Sequence, residues 1–502
     1  MNQLIDWVER FGGALTSPKN AHSTIQITGV QLDSRQVRAG DLFVALPGVT
    51  GDGLAYVKQA EANGAVALLL PESVSAGTAP SVPSDLPQWR HAQARKVAGE
   101  CASLVHGEPS LDLEVVAITG TNGKTTTAHM LRSLLGASDP ALLGTTGYHL
   151  AGGKDYPASH TTPDAPRLQA LMAEHRAAGG GTLIMEASSH ALEQDRLAGT
   201  QVDLAVFTNL SRDHLDYHGD MESYGRAKAR LFETLGHDGA AVLNADDAMY
   251  PMMARSVRGA GVRILTTSTQ GPADLWASNI EAVERGTRFD LQGLGLNANG
   301  IQVPLLGRYN VSNLLQALAC ARWLGVPESQ LLEDLARVKT APGRMELLAQ
   351  TGVDRPRIFV DYAHTPEALQ NALNTLREVP ARGRVFVVFG CGGDRDPGKR
   401  ALMGGVAAQL ADHIIVTNDN PRGEDPEVIA EQILAGVCAA GQMAGASCHM
   451  QLDRRAAIQQ AVEMAQPEDL ILIAGKGHET TQTSAAGVIE FDDRLVAQEL
   501  CS

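Results

Sequence analysis

The sequence predicts an α/β protein in three parts: a smaller N-terminal α/β domain over residues 1–110, a central parallel-sheet domain over 111–342 with helices on both faces and a phosphate-binding loop, and a C-terminal strand-and-helix domain over 343–502. Three observations lead there. The 502 residues exceed one compact core, at roughly 100–200 residues per domain. Continuous apolar runs of strand length alternate with helical segments through the second and third parts, the pattern of parallel strands buried on both faces. Two breaker-rich stretches, HGEPSLD at 106–112 and KTAPGRME at 339–346, interrupt the alternation and mark the boundaries.

In the first part, short alternating strands are expected at 25–32 and 41–46, then a helix and strand across 55–70 and a Ser/Pro/Gly-rich connection at 73–87. The second opens with the strand EVVAIT (114–119), a glycine loop, and TTTAHMLRSLL (125–135) with apolar residues at helical spacing. TLIME (182–186), LAVFTNL (204–210) and AAVLNAD (240–246) read as further buried strands. The third part repeats this logic in a Rossmann-like manner: strands at 357–363, 385–390, 413–419 and 470–475, and amphipathic helices at 365–378 and 425–437. The longest charge-free stretch, 433–452, is built of Ala, Gly, Gln and Ser and reads as a soluble helix plus loop, not a membrane span. Polar and glycine residues follow each strand of the third part, at His364, 392–395, 418–422 and 475–479. Ligands of open α/β sheets bind beyond the carboxyl ends of the strands, so these four clusters are expected to converge.

Charge narrows the partners. With 57 acidic and 41 basic side chains the net charge is −16, which argues against nucleic acid and anionic membranes, both of which need a basic face. Any anionic ligand must be held by locally placed cations. The six cysteines, at 101, 320, 391, 438, 448 and 501, lack CxxC spacing and suit neither zinc nor a secreted disulfide framework. The opening MNQLIDWVERF has no basic-then-apolar run of a signal peptide. A cytoplasmic monomer acting on small molecules is expected.

The sharpest motif is Gly120-Thr121-Asn122-Gly123-Lys124-Thr125-Thr126, placed between a strand and a helix. Glycines let backbone N–H groups turn inward on phosphate, Lys124 suits the β/γ-phosphates of ATP, and the Thr125 hydroxyl suits Mg²⁺. Ile118 stands where the common loop has its first glycine, so this is a shorter variant. Glu186 ends one apolar strand and His214 follows another; such a carboxylate and imidazole could hold a divalent ion beside the γ-phosphate. Spacing alone equally allows a helix-terminal charge and a capping histidine. Asp213, Asp216 and His218 read as turn residues.

GTNGKTT (120–126), EASSH (186–190), NLSRDHLDYHG (209–219), GRYNVSNLLQAL (307–318), APGRME (341–346), DYAHTPEAL (361–369) and GCGGDRD (390–396) together resemble the Mur ligases of peptidoglycan synthesis and the related folylpolyglutamate synthases. The likeness runs from LDSR at 32–35 to GKGHE at 475–479. It implies ATP binding by 120–126 with Asn310 and Arg344, and Mg²⁺ ligation by Thr125, Glu186 and His214. It also implies carboxylation of Lys228 to an N6-carboxylysine that completes the metal site; pattern alone reads Lys228 as a surface residue of an amphipathic helix. Asp361 and His364 are implied near the nucleotide, His364 as a candidate base. A UDP-sugar-peptide substrate is implied at Leu32, Ser34, Val49, Thr50, Gly51, His160, Thr161, Thr162, Ser188, Gln194 and Arg196, with His160 standing where relatives often carry Asn. Arg395, Asp419, Asn420, Pro421, Arg422, Gly475 and Glu479 resemble the form of the family that takes meso-diaminopimelate. Its extra carboxylate suits the bidentate fork of Arg422.

The implied reaction adds meso-diaminopimelate to the D-glutamate of UDP-N-acetylmuramoyl-L-alanyl-D-glutamate through an acyl phosphate, with closure of the third domain over the second before chemistry. Lys124 and Mg²⁺ then stabilise charge. L-Lysine as the added residue, a folylpolyglutamate synthase, and a nucleotide-gated scaffold are the alternatives. The LDSR and DNPR segments disfavour the folate reading, and intact Lys124, Thr125, Glu186 and His214 disfavour the scaffold.

Overall fold

In the computed structural model the described residues are 2–16, 25–47, 52–72, 84–257, 261–284, 286–348, 355–380, 383–440 and 447–501. They fall into two compact units: Met1–Ser268 with Ala273–Leu275 and Gln316–Val326, and Thr269–Pro272, Trp276–Leu315 and Pro327–Ser502.

The first unit holds two sheets. One has five strands in the order Ala14–Thr16, Gln88–His91, Ala67–Pro71, Asp41–Val44, Gly29–Gln31; its first pairing is antiparallel and the rest parallel. Leu42, Val44 and Leu69 pack with Trp7, Trp89 and the helix Ala94–Val105, while Phe43, Leu68 and Leu70 meet Val57 of the helix Val57–Ala62 on the other face. The second sheet has a parallel centre, ordered Arg263–Ser268, Leu235–Asn244, Val202–Phe207, Glu114–Thr119, Thr182–Glu186, Ala141–Gly144. The antiparallel strands Gly147–Leu150 and Lys154–Tyr156 extend it. Val115 and Ala117 join the core with Leu168, Leu171 and Met172 of the helix Ala165–Ala177, and Val116 and Ile118 are equally buried on the opposite face. Burial on both faces is why EVVAIT is unbroken by polar residues.

In the second unit a six-stranded sheet runs Glu346–Leu347, Arg357–Asp361, Leu470–Ala474, Val385–Phe389, His413–Val416, Ser447–Met450, parallel after its first pairing. Helices Pro366–Glu378, Gly398–Leu410 and Pro426–Ala440 cover one face, and Arg454–Met464 and Asp493–Leu500 the other, each with its own apolar core. The Rossmann-like expectation for this part, parallel strands alternating with helices, is met. The helices Gly398–Leu410 and Pro426–Ala440 approach through small residues: a Cβ on Gly404 would lie 2.1 Å from the Ile433 carbonyl oxygen, and one on Gly436 would lie 1.9 Å from that of Ala401. One expectation is corrected. The stretch read as helix plus loop at 433–452 continues the helix to Ala440 but ends in the edge strand Ser447–Met450, whose backbone pairs with His413–Val416 although its residues alternate polar Ser447 and His449 with Cys448 and Met450. Among the described residues no helix is long and apolar enough to cross a membrane.

Candidate active site

In the first unit, the strand Glu114–Thr119 turns through Gly120 (φ 152°) and Gly123 (φ 87°) into the helix Lys124–Leu135. These angles suit glycine, and a Cβ on Gly120 would sit 1.8 Å from Thr208 Oγ1. Lys124 Nζ donates back to the carbonyls of Gly120 (2.8 Å) and Thr121 (2.9 Å). Asn209 steadies the loop from the next strand, accepting from Asn122 N at its side chain (3.0 Å) and from Thr121 N at its carbonyl (2.9 Å). Thr126 is buried in the first helical turn. A cation folded over a helix N-terminus whose first N–H groups lack intrahelical acceptors is suited to phosphate.

Parallel register pairs Glu186 with Ile118 and Phe207 with Thr119, so three strand ends meet beside this loop. Glu186 is buried; its Oε2 accepts from Thr125 Oγ1 (2.9 Å) and its Oε1 from Thr145 N (3.0 Å) and Oγ1 (3.1 Å). His214 has a left-handed backbone (φ 51°) and a half-exposed ring, 3.4 Å from Asp213 and edge-on to His190 at 5.0 Å. Among the described residues no three of His, Cys, Asp and Glu gather into a metal cluster. The donors that do meet, Thr125 and Glu186, are hard oxygens that fit Mg²⁺, an ion commonly held by one or two carboxylates, water and substrate phosphate.

Lys228 is not on the surface. Its side chain is 1% exposed on the helix Met221–Ala229, with Nζ 2.8 Å from the Gly120 carbonyl oxygen and 4.3 Å from the Tyr224 ring centre. Burial, then repulsion from Lys124, holds its pKa well below the ordinary 10.5, against a smaller pull from Asp213. Burial of this kind favours the neutral, nucleophilic form of the amine. Amphipathic periodicity hid this, because the surface that buries Lys228 comes from the distant loop at Gly120.

A cleft of about 210 Å³ in the same unit gathers Leu32, His160, Gln194 and Arg196 with Arg95, Asp164 and Asp195. Arg196 donates to the Thr162 carbonyl (2.8 Å) and to Gln194 Oε1 (2.9 Å). Thr162 Oγ1 donates to the Glu186 carbonyl (2.8 Å) and accepts from Ser188 N (3.1 Å), which ties the cleft to the Glu186 strand end. Desolvation and the charge of Arg196 lower the pKa of His160. Ser34 is buried and donates to Gln59 Oε1 (2.7 Å), outside the cleft lining. Thr161 is partly buried, and Val49, Thr50 and Gly51 lie outside the described residues. Arg95 and Thr145 went unnoticed in sequence; a threonine pair directly after the strand Ala141–Gly144 was the available signal for the latter.

In the second unit the clusters after the strands do converge. Asp361 accepts from Met345 N (2.6 Å) and Ala363 N (2.8 Å), and burial raises its pKa against the pull of Arg344. The Arg344 guanidinium lies 4.5 Å over the Tyr362 ring, and its buried Nε has no hydrogen-bond partner among the described residues. His364 Nδ1 meets the Tyr362 carbonyl (2.8 Å), and lost hydration, then Lys399 and Arg344, lower its pKa. Asn310 Nδ2 donates to the Leu306 carbonyl (2.8 Å) at the start of its own helix. A Cβ on Gly392 would lie 2.8 Å from Arg422 Nη1 and 3.8 Å from Arg395 Cγ, so the two arginines flank one spot. Arg422 also donates to the Gly393 carbonyl (2.7 Å), and the Pro421 carbonyl closes a turn on Glu424 N (3.0 Å). Asp419 is buried with its pKa raised, first by desolvation; a Cβ on Gly475 (φ 113°) would lie 2.4 Å from its Oδ2. Asn420 Nδ2 donates to Glu479 Oε2 (2.9 Å). Beneath the site, Arg454 and Asp493 form a fully buried ion pair (2.7 Å), and Arg454 also donates to the carbonyls of Asn418 and Ala474 (3.0 Å each).

Comparison with known proteins matches residues 26–102 to the Mur ligase family, catalytic domain; 118–321 to the Mur ligase middle domain; and 343–477 to the Mur ligase, glutamate ligase domain. The UDP-N-acetylmuramoyl-L-alanyl-D-glutamate–2,6-diaminopimelate ligases of Synechococcus elongatus and Coxiella burnetii are 43% and 42% identical, over 96% and 93% of this chain and 95% and 94% of theirs. A solved structure of a ligase of that name is 36% identical with a TM-score of 0.69, covering 97% of both chains. The Escherichia coli FolC structure, in complex with DHPP and ADP, is 22% identical with a TM-score of 0.57 over 75% of this chain and 90% of that one, a likeness of fold alone.

Proposed function

Since this chain belongs to the Mur ligase family, we propose that it is an ADP-forming ligase that joins meso-diaminopimelate to the D-glutamate carboxylate of UDP-N-acetylmuramoyl-L-alanyl-D-glutamate, a step of peptidoglycan synthesis. The observation that carries it is the gathering of Lys124, Thr125, Glu186 and Lys228 around one glycine loop, the equipment for activating a carboxylate with ATP. The names of the full-length relatives and the paired Arg395 and Arg422 favour diaminopimelate over lysine.

In this reading the loop 120–126 holds the ATP phosphates, and Asn310 and Arg344 engage the nucleotide. Arg196, fixed by Thr162 and Gln194, orients the UDP-sugar-peptide together with Leu32, Ser34, residues 49–51, His160, Thr161 and Ser188. The γ-carboxylate of D-glutamate attacks the γ-phosphorus of ATP, ADP leaves, and an acyl phosphate results. The amine of diaminopimelate attacks the acyl carbon, loses a proton, and phosphate departs. Lys124 stabilises charge on the transferring group, and His364, whose pKa burial lowers, is the candidate acceptor of the amine proton. Thr125, Glu186, His214 and Lys228 as its carbamate are the residues that would hold Mg²⁺, which supplies charge neutralisation. The carbamate forms when the neutral Lys228 amine bonds to the carbon of CO₂ and releases a proton to water. The parts 1–110, 111–342 and 343–502 then serve sugar nucleotide, ATP and amino acid in a cytoplasmic monomer.

The test is turnover of purified protein with ATP, the UDP-sugar-dipeptide and diaminopimelate. Release of ADP and phosphate that depends on the amine, with a UDP-sugar-tripeptide product by mass spectrometry, is expected; its absence overturns the reading.

A further inference from the structure

Lys476 lies between the two loops proposed to receive the added amino acid, and its side chain is wholly buried. Its Nζ donates to the Thr481 carbonyl (2.5 Å), to Asn420 Oδ1 (3.3 Å) and to Glu479 Oε2 (3.3 Å). Thr483 N also donates to Asn420 Oδ1 (2.9 Å). An ammonium and an amide N–H can only donate, so the Asn420 atom facing both must be its oxygen. The amide nitrogen is thereby turned toward Glu479, where it donates to Oε2 at 2.9 Å. Lys476 and Asn420 together engage Oε2 of Glu479, whose side chain is about a third exposed.

The same knot binds the hairpin of strands Thr481–Ser484 and Gly487–Glu490 to the Asp419–Arg422 loop. Gln482 Nε2 donates to the Asp419 carbonyl (2.8 Å), and Arg422 N donates to the Thr483 carbonyl (3.0 Å). The register that aims Arg422 is thus set partly by the hairpin that Lys476 anchors through Thr481.

We propose that Lys476 is a positioning residue for selection of the amino acid, fixing the amide sense of Asn420 and the placement of the Glu479 carboxylate so that they meet a carboxylate and an ammonium at the distal end of a diamino-dicarboxylic acid. This rests on the diaminopimelate reading above.

The test compares Lys476→Met with the unaltered enzyme in steady-state turnover, with meso-diaminopimelate and L-lysine assayed separately. The expected result is a diaminopimelate KM raised about tenfold or more, the loss scale of an oriented buried hydrogen-bond network, with the KM for ATP unchanged and kcat changed less. The preference for diaminopimelate over lysine falls by a similar factor. An unchanged diaminopimelate KM and preference in a folded variant overturn the proposal. Should Lys476→Met not fold, Lys476→Met/Glu479→Gln removes both charges and is compared with Glu479→Gln alone; a higher diaminopimelate KM in the double variant supports the role, and equal values overturn it. If the unaltered enzyme shows no diaminopimelate turnover, the functional reading itself falls.

Discussion

Gly120 carries two amines on one carbonyl oxygen, Lys124 and Lys228, each at 2.8 Å, and the two have opposite tasks. Lys124 faces the helix N-terminus as a cation. Lys124→Ala should lower kcat by about 10²–10³, the scale of losing one preorganised charge-stabilising donor, with circular dichroism unchanged. Burial holds the Lys228 pKa well below 10.5, so in CO₂-free buffer the unfolded chain binds a proton that the folded one lacks between that depressed value and 10.5. Stability should therefore rise with pH between the depressed folded pKa and 10.5, and Lys228→Met should abolish that slope in denaturant titrations at several pH values. The glycine loop was readable because its chemistry is contiguous. The burial of Lys228 and the part of Thr145 were not, because both depend on residues far away in sequence.

At the level of elements, the apolar strands were legible from their unbroken runs, and the edge strand Ser447–Met450 was missed because Ser447 and His449 interrupt any such run. The pairing of Gly398–Leu410 with Pro426–Ala440 was equally silent. Gly436→Ala forces a methyl against the Ala401 carbonyl and should cost about 1–3 kcal/mol in chemical denaturation. Asp469 ties two strand starts together, accepting from Arg384 N (2.6 Å), Gln466 N (2.7 Å) and Arg384 Nη2 (2.8 Å). Burial pushes its pKa up, but these hydrogen bonds outweigh it and hold the group below its ordinary 3.8. The stabilisation is complete above that value and lost as pH falls through the folded pKa. Asp469→Asn should destabilise by roughly 1–3 kcal/mol at neutral pH and shrink the acid-side loss of stability.

For the molecule as a whole, a net charge of −16 argues against a basic face, yet cations stand where anions are proposed to bind: Lys124, Arg196, Arg344, Arg395 and Arg422. With diaminopimelate and lysine offered together, diaminopimelate should dominate the product, and Arg422→Met should cut that preference about tenfold or more, as judged by mass spectrometry of the tripeptides. Convergence of the strand-end clusters within the second unit could be anticipated from sequence. Lys476 could not, since GKGHE shows a lysine among glycines without saying which carbonyl it will find.

The ion pair of Arg454 with Asp493 sets a boundary on what can be trimmed. A chain cut before Asp493 would keep the Arg454 guanidinium sealed under the sheet, hydrogen-bonded to the carbonyls of Asn418 and Ala474 but without the carboxylate that pairs it. An uncompensated interior charge of that kind is strongly destabilising. A premature stop codon removing the closing helix Asp493–Leu500 would thus act as a null allele rather than a shortened tail, although none of the deleted residues is proposed to touch a substrate.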